Sequence, residues 1–97
     1  MFVVLLRFAV NKAEAGQFMD GHKAWIKRGF DDGVFLLVGS LKENQGGAVL
    51  AHNASLADLQ RRVSEDPFVA EEVVAAEILE IAPARVDDRL KQLFGGA

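Results

Sequence analysis

Hydrophobic and polar positions change their spacing along the chain, and each change predicts a new element. Residues 2–6 are aliphatic or aromatic without alternation, which is typical of a central strand covered on both faces. Between residues 12 and 32 the spacing becomes helical, and Gly33 marks the end of the predicted helix. The apolar side of this helix comprises Ala15, Phe18, Met19, His22, Trp25, Ile26, Gly29 and Phe30, whereas Lys23 and other charged residues occupy the opposite side.

A hairpin is predicted after the first helix. Residues 34–38 have the two-sided apolar character of a second buried strand, and residues 48–52 predict a third strand. The turn-forming residues 43–47 join the two segments. The second and third strands are therefore expected to pair directly.

A second helix and a fourth strand follow the hairpin. Ser55 and Asp58 form a capping sequence for a short helix, which Pro67 cannot continue. The segment 73–81 contains Ala and Glu residues that also favour helix. Its second half leads into Pro83 and is interpreted as a strand.

The end of the chain predicts a terminal helix. Residues 86–94 have helical spacing, with Leu90, Leu93 and Phe94 expected to face inward. The small residues 95–97 are expected to fray.

This βαββαβ order predicts one α+β domain over residues 1–97, with a ferredoxin-like fold. Its four-stranded antiparallel sheet would carry both main helices on one face. The terminal helix is an additional element at the end of the domain. Because the strands are apolar on both faces, the other face would be left uncovered. Packing of a second copy against it about a two-fold axis is the simplest remedy, so a homodimer is expected.

Composition excludes several classes of partner and site. The 97 residues are 51% hydrophobic, carry a net charge of −3 and contain no cysteine. Thiolate chemistry is therefore absent, and nucleic-acid binding is not expected, because it requires clustered Lys and Arg. The third strand also lacks the aromatic platform of an RNA-recognition domain. The apolar run at 2–6 is too short for a membrane span, and a cytoplasmic location is expected.

His22 and Asp66 are the candidate catalytic residues. A histidine on an apolar stripe needs a hydrogen-bond partner, and the predicted fold returns the end of the second helix, with Asp66, toward the first half of the first helix. Histidine ordinarily titrates near pH 6.5, which suits a general base, and a carboxylate can orient its ring. Two structural interpretations stay open: His22 as a satisfied core group, and Asp66 as an N-cap with Pro67 in the first helical position.

Four further residues are candidates for binding a substrate. Trp25 and Phe68 are expected in the core or in a pocket wall, with stacking on a substrate as the functional alternative. Ser40 is expected to line the pocket or to serve as a turn residue, and Arg7 to meet an anionic ligand or to lie on a solvated edge. No metal site or cofactor is expected, because the two histidines lack ligand spacing and His52 is predicted at the surface.

These motifs resemble the YciI-like family, small dimeric α+β barrel proteins related in fold to muconolactone isomerase. The resemblance covers roughly residues 1–83. It rests on the apolar first strand, the Gly-His-Lys-Ala sequence at 21–24, the strand at 33–39 and the Ser-Glu-Asp-Pro-Phe-Val sequence at 64–69. It implies a His-Asp pair in a pocket near the dimer's sheet, formed here by His22 and Asp66. One member of the family is a dehydrochlorinase acting on a chlorinated hydroxyquinol.

Two functions of different classes follow. The leading hypothesis is a small cofactor-independent lyase- or isomerase-type enzyme that moves a proton on a compact, cyclic and oxygenated substrate. The alternative is a non-catalytic module that binds a small molecule with the same dimer and pocket.

Overall fold

The strands and the main helices follow one another along the chain in the order predicted from the sequence. The computed structural model describes residues 1–94. The strands are β1 (Phe2–Phe8), β2 (Phe35–Leu41), β3 (Gly46–Ala51) and β4 (Val74–Glu80). The α-helices are α1 (Ala15–Asp31), α2 (Leu56–Ser64) and α3 (Pro67–Ala70). The helix α2 corresponds to the second predicted helix and ends before Pro67 as expected, and the short helix α3 begins at Pro67.

The strands form one antiparallel sheet in the order β2-β3-β1-β4. This arrangement confirms the predicted ferredoxin-like α+β fold and the central position of β1. Val4 of β1 pairs with Val49 of β3 on one side and with Ile78 of β4 on the other. The fourth strand is longer than predicted, because β4 pairs with β1 from Phe2 to Phe8.

The hydrophobic core lies between one face of the sheet and the helices. Alternate residues of β1 are buried on this face, and they share a cluster with residues of α1, α2 and α3. Trp25 of α1 and Leu59 of α2 are the largest fully buried side chains. This layer holds α1 in a fixed position over β1, β2 and β3, where the candidate site forms.

The other face of the sheet carries an apolar row, and the helices α1, α2 and α3 pack on the opposite face. Leu37, Leu50, Val3 and Leu79 are cross-strand neighbours that form one row across all four strands. Leu37 is 53% exposed and Leu79 is 44% exposed. We call the face that carries this row the open sheet face.

Three expectations about burial are wrong. Phe30, near the end of α1, is 43% exposed, because its contact with the sheet is limited to an edge-on approach to Phe35 with ring centroids 6.2 Å apart. The terminal segment is a 3-10 helix, Asp88–Phe94, in which Leu90 and Leu93 are exposed because no core layer covers them. The side chain of Phe94 and the predicted fraying of 95–97 lie outside the described residues. No helix in the described part of the chain is long and apolar enough to cross a membrane.

Candidate active site

The structure brings His22 and Asp66 into direct contact. His22 lies in the middle of α1, and its Nδ1 atom is 2.8 Å from Oδ1 of Asp66. The Asp66 side chain is fully buried, and that of His22 is 15% exposed. Because a buried carboxylate is costly without hydrogen-bond donors, this contact is a main compensation for burying Asp66.

The junction between α2 and α3 positions Asp66. The residue is the N-cap of α3, where Oδ1 also accepts a hydrogen bond from the backbone N–H of Phe68 at 3.0 Å, and Pro67 takes the first helical position. Gly21, next to His22, makes the approach of this junction possible. A Cβ atom there would lie 3.0 Å from Cγ of Pro67, closer than ordinary contact. The capping role and the contact with His22 therefore coexist on one oxygen.

Aromatic contacts fix the plane of the His22 ring. The ring stacks on Phe68 with centroids 3.9 Å apart and planes 4° apart, and Trp25 lies farther away at 5.9 Å. Trp25 is anchored in turn, because its Nε1 donates a hydrogen bond to the carbonyl oxygen of Arg62 at 2.8 Å. The imidazole is thus held by one hydrogen bond at its edge and by one ring against its face.

Two atoms of the pair differ in their surroundings. Oδ2 of Asp66 is buried and has no hydrogen-bond donor among residues 1–94. Nε2 of His22 also forms no hydrogen bond there, but unlike Oδ2 of Asp66 this atom is open to solvent. The pair therefore presents one unoccupied ring nitrogen outward.

A cavity of about 400 Å³ lies beside the ring, between α1 and the β1, β2 and β3 strands. Most of its walls are apolar, and its polar side chains are His22, Lys23 and Ser40. Small-molecule sites are typically concave and apolar with a few polar groups, and this volume is within their usual range. The lining residues are Leu6, Phe8, Met19, His22, Lys23, Trp25, Ile26, Val38, Gly39, Ser40, Gly46, Gly47, Ala48, Val49, Phe68 and Val74.

The predicted substrate-binding residues divide into two groups. Trp25, Ser40 and Phe68 line the cavity. Arg7 does not line the cavity; it forms an exposed ion pair with Glu77 at 2.9 Å, in line with the solvated-edge alternative. The reason is the alternation of β1, in which the preceding and following residues face the cavity and Arg7 faces the opposite way.

Lys23 also lines the cavity, although the helical spacing of the sequence predicts it on the polar side of α1. Met19, four residues earlier, and Ile26, three residues later, line the same cavity, and this spacing is the signal that places the three together. His52 lies apart from the site, where its Nδ1 contacts the carbonyl oxygen of Leu93 at 3.2 Å.

Among residues 1–94 no group of three or more His, Cys, Asp or Glu side chains is arranged to hold a metal ion.

No protein-family model and no curated protein matches the chain. Its structure is similar to that of 5-chloro-2-hydroxyhydroquinone dehydrochlorinase (TftG) from Burkholderia phenoliruptrix AC1100, solved as a complex with 2,5-dihydroxybenzoquinone. The TM-score is 0.67, and the match covers 84% of this chain and 94% of that chain. Sequence identity is 14%, so the similarity shows the fold alone.

Proposed function

We propose that the protein is a small acid/base catalyst in which His22 moves a proton on a ligand bound in the cavity and Asp66 positions the imidazole. The observation that carries this proposal is the 2.8 Å contact of a fully buried carboxylate with a histidine that lines a cavity. A nucleophile is not required, and the reaction class is isomerisation or elimination.

In the proposed mechanism each atom of the pair has one task. Oδ1 of Asp66 accepts the hydrogen bond from Nδ1–H of His22, which leaves the lone pair on Nε2. Nε2 removes a proton from the ligand, and the charge of Asp66 stabilises the imidazolium that forms. In an elimination, the electron pair of the broken bond to hydrogen forms a new double bond while a leaving group such as chloride departs with its own pair. His22 then returns the proton to solvent or to the product.

Cavity shape and structural similarity support a ring as the substrate. The aromatic residues Trp25, Phe68 and Phe8 line the cavity and provide flat apolar walls for a ring. TftG, which shares the fold, is a dehydrochlorinase whose structure holds an oxygenated ring. These observations support a small cyclic, oxygenated substrate and also support a distant relationship to the YciI-like family.

The same proposal includes a homodimer formed through the open sheet face. Burial of the apolar row of Leu37, Leu50, Val3 and Leu79 against a second copy would be favourable, since each square ångström of apolar surface removed from water contributes roughly 25 cal/mol. We expect light scattering at micromolar concentration to give the mass of two chains. A monomeric mass would contradict the dimer and leave the cavity chemistry to be tested separately.

Turnover by His22→Asn tests the catalytic proposal. The protein is first assayed with a panel of hydroxylated, halogenated rings and lactones to find a compound that it converts. Asparagine can form hydrogen bonds but cannot exchange protons near neutral pH, so kcat for that compound should fall about 10²- to 10⁴-fold. His52→Asn is the matched control, because it removes the other histidine outside the cavity and should leave the rate unchanged.

The pair should also behave as a unit. Asp66→Asn removes the charge and should lower kcat, and the double variant should be scarcely slower than the more damaging single variant. If His22→Asn turns over substrate at the original rate, or if the protein binds panel compounds and converts none of them, the binding-module alternative replaces the catalytic one.

A further inference from the structure

The side chains that line the cavity carry no carboxylate. The cationic or polar ones are His22, Lys23 and Ser40. The chain as a whole is negative, with a net charge of −3, so its overall field does not favour an anion. Any attraction for a negative ligand at this place therefore has to come from a local group.

Lys23 is available to act as that group. Some basic side chains of the surface are paired, such as Lys27 with Asp31 at 2.7 Å and Arg7 with Glu77 at 2.9 Å. Lys12 lies over the ring of Phe8, 4.5 Å from its centroid, but does not itself line the cavity. Within residues 1–94 Lys23 forms no ion pair, and it is one of the residues that line the cavity. A lysine packs its aliphatic stem along apolar surface and keeps its ammonium group in water, which suits the mouth of an apolar cavity.

Ser40 adds a second polar group from the sheet side. It follows Gly39 near the end of β2, and its hydroxyl makes no hydrogen bond to the described residues. A hydroxyl can donate to an anionic oxygen that an ammonium group already attracts. Helix α1 and strand β2 thus each supply a donor to one apolar cavity.

We infer that Lys23 makes the cavity selective for a ring ligand that carries an anionic oxygen, either a carboxylate or an ionised ring hydroxyl. This inference rests on the proposal that a ligand binds beside His22, and it adds the charge of that ligand. In the complex before reaction, the ammonium group of Lys23 binds the anionic oxygen of the ligand. The ring of the ligand lies among the aromatic walls, and Nε2 of His22 faces it. Lys23 is therefore a specificity-determining residue.

Amide chemical-shift titration of the whole protein with three probes tests the inference. The probes are benzoate, 4-nitrophenolate above the pH at which it ionises, and neutral benzamide. Benzoate or 4-nitrophenolate should bind about tenfold more tightly than benzamide, as expected for one charge-assisted hydrogen bond. The tighter of the two anions identifies whether the favoured oxygen belongs to a carboxylate or to the ring.

Lys23→Met keeps the length of the side chain and its apolar stem but removes the ammonium group. The affinity for anions should fall about tenfold, and the affinity for benzamide should not change. Lys23→Arg should restore anion selectivity. Lys27→Met is the matched control, because it removes an ammonium group one helical turn later that is paired with Asp31, and it should change neither affinity. Added salt should weaken anion binding to the original protein more than to Lys23→Met.

Equal affinity for benzamide and both anions would overturn the inference, as would an equal loss for all probes in Lys23→Met, or no binding of any probe at millimolar concentration. Titration of His22→Asn separates this result from the catalytic proposal. Charge selectivity that survives in that variant, together with unchanged turnover, would reject proton transfer by His22 and leave the role of Lys23 standing.

Discussion

Gly29→Ala tests how closely the helix that carries His22 lies against the sheet. Gly29 is buried near the end of α1, directly over the ring of Phe35 on β2. A Cβ atom at this position would lie 2.1 Å from Cδ2 and 2.2 Å from Cε2 of Phe35. Since ordinary contacts begin near 3.4 Å, the ring or the helix would have to move by more than 1 Å.

The Phe35 ring has little space to move. It packs edge-on against Trp25 with centroids 5.0 Å apart, and it is itself 3% exposed. Forcing an extra carbon into a packed core typically costs about 1–3 kcal/mol, whereas replacing glycine by alanine inside a helix gains about 0.5–1 kcal/mol. We expect the free energy of unfolding to fall by about 1–2 kcal/mol, which lowers the melting temperature of a domain of this size by about 4–8 °C per kcal/mol.

Gly16→Ala is the matched control on the same helix. A Cβ atom there meets nothing within 4 Å, so only the helix-propensity gain of about 0.5–1 kcal/mol should appear. Both variants are compared by urea unfolding at one protein concentration, since the proposed assembly would make stability depend on concentration. The fluorescence of Trp25, the single tryptophan, should shift in Gly29→Ala alone. A Gly29→Ala variant as stable as Gly16→Ala would refute the close packing of α1 on β2.

Three further substitutions test the core, a helix cap and the open sheet face. Trp25→Phe removes the donor to the Arg62 carbonyl and should lower the free energy of unfolding by about 1–3 kcal/mol, measured by urea denaturation; an unchanged midpoint would contradict the hydrogen bond. Ser55→Ala should cost about 1 kcal/mol in the same assay, because Ser55 accepts from the Asp58 backbone N–H at the start of α2. Leu37→Asp should give a monomeric mass by light scattering with the strand content retained, and a stable dimer would show that the open sheet face is not the interface.

The sequence predicted the elements in which the spacing of apolar residues follows from packing against one buried layer. The helical period of α1 correctly placed Trp25 inside, and the Asp-Pro sequence correctly suggested a cap at Asp66. Placing His22 near Asp66 required only the order of the elements, since α1 and the junction after α2 lie on the same face of the sheet.

Other features depended on distances that a sequence does not contain. Arg7 belongs to a strand apolar on both faces, so composition could not tell which alternate residues face the helices. Lys23 lies beside the apolar stripe, and its place at the cavity depends on how far α1 stands from β2. Leu90 and Leu93 have helical apolar spacing but no layer to pack against, so their exposure follows from the size of the core.

The tautomer of His22 is the most direct test of the account, because proton transfer by Nε2 requires Asp66 to hold the proton on Nδ1. Nitrogen-15 NMR of the imidazole, recorded at a pH where the ring is neutral and assigned with His52→Asn, distinguishes the two nitrogens without a substrate. The account predicts a protonated Nδ1 and an unprotonated Nε2 in the original protein, with this preference weakened in Asp66→Ala. A neutral ring with its proton on Nε2 would contradict it, since the nitrogen open to solvent could then not act as the base.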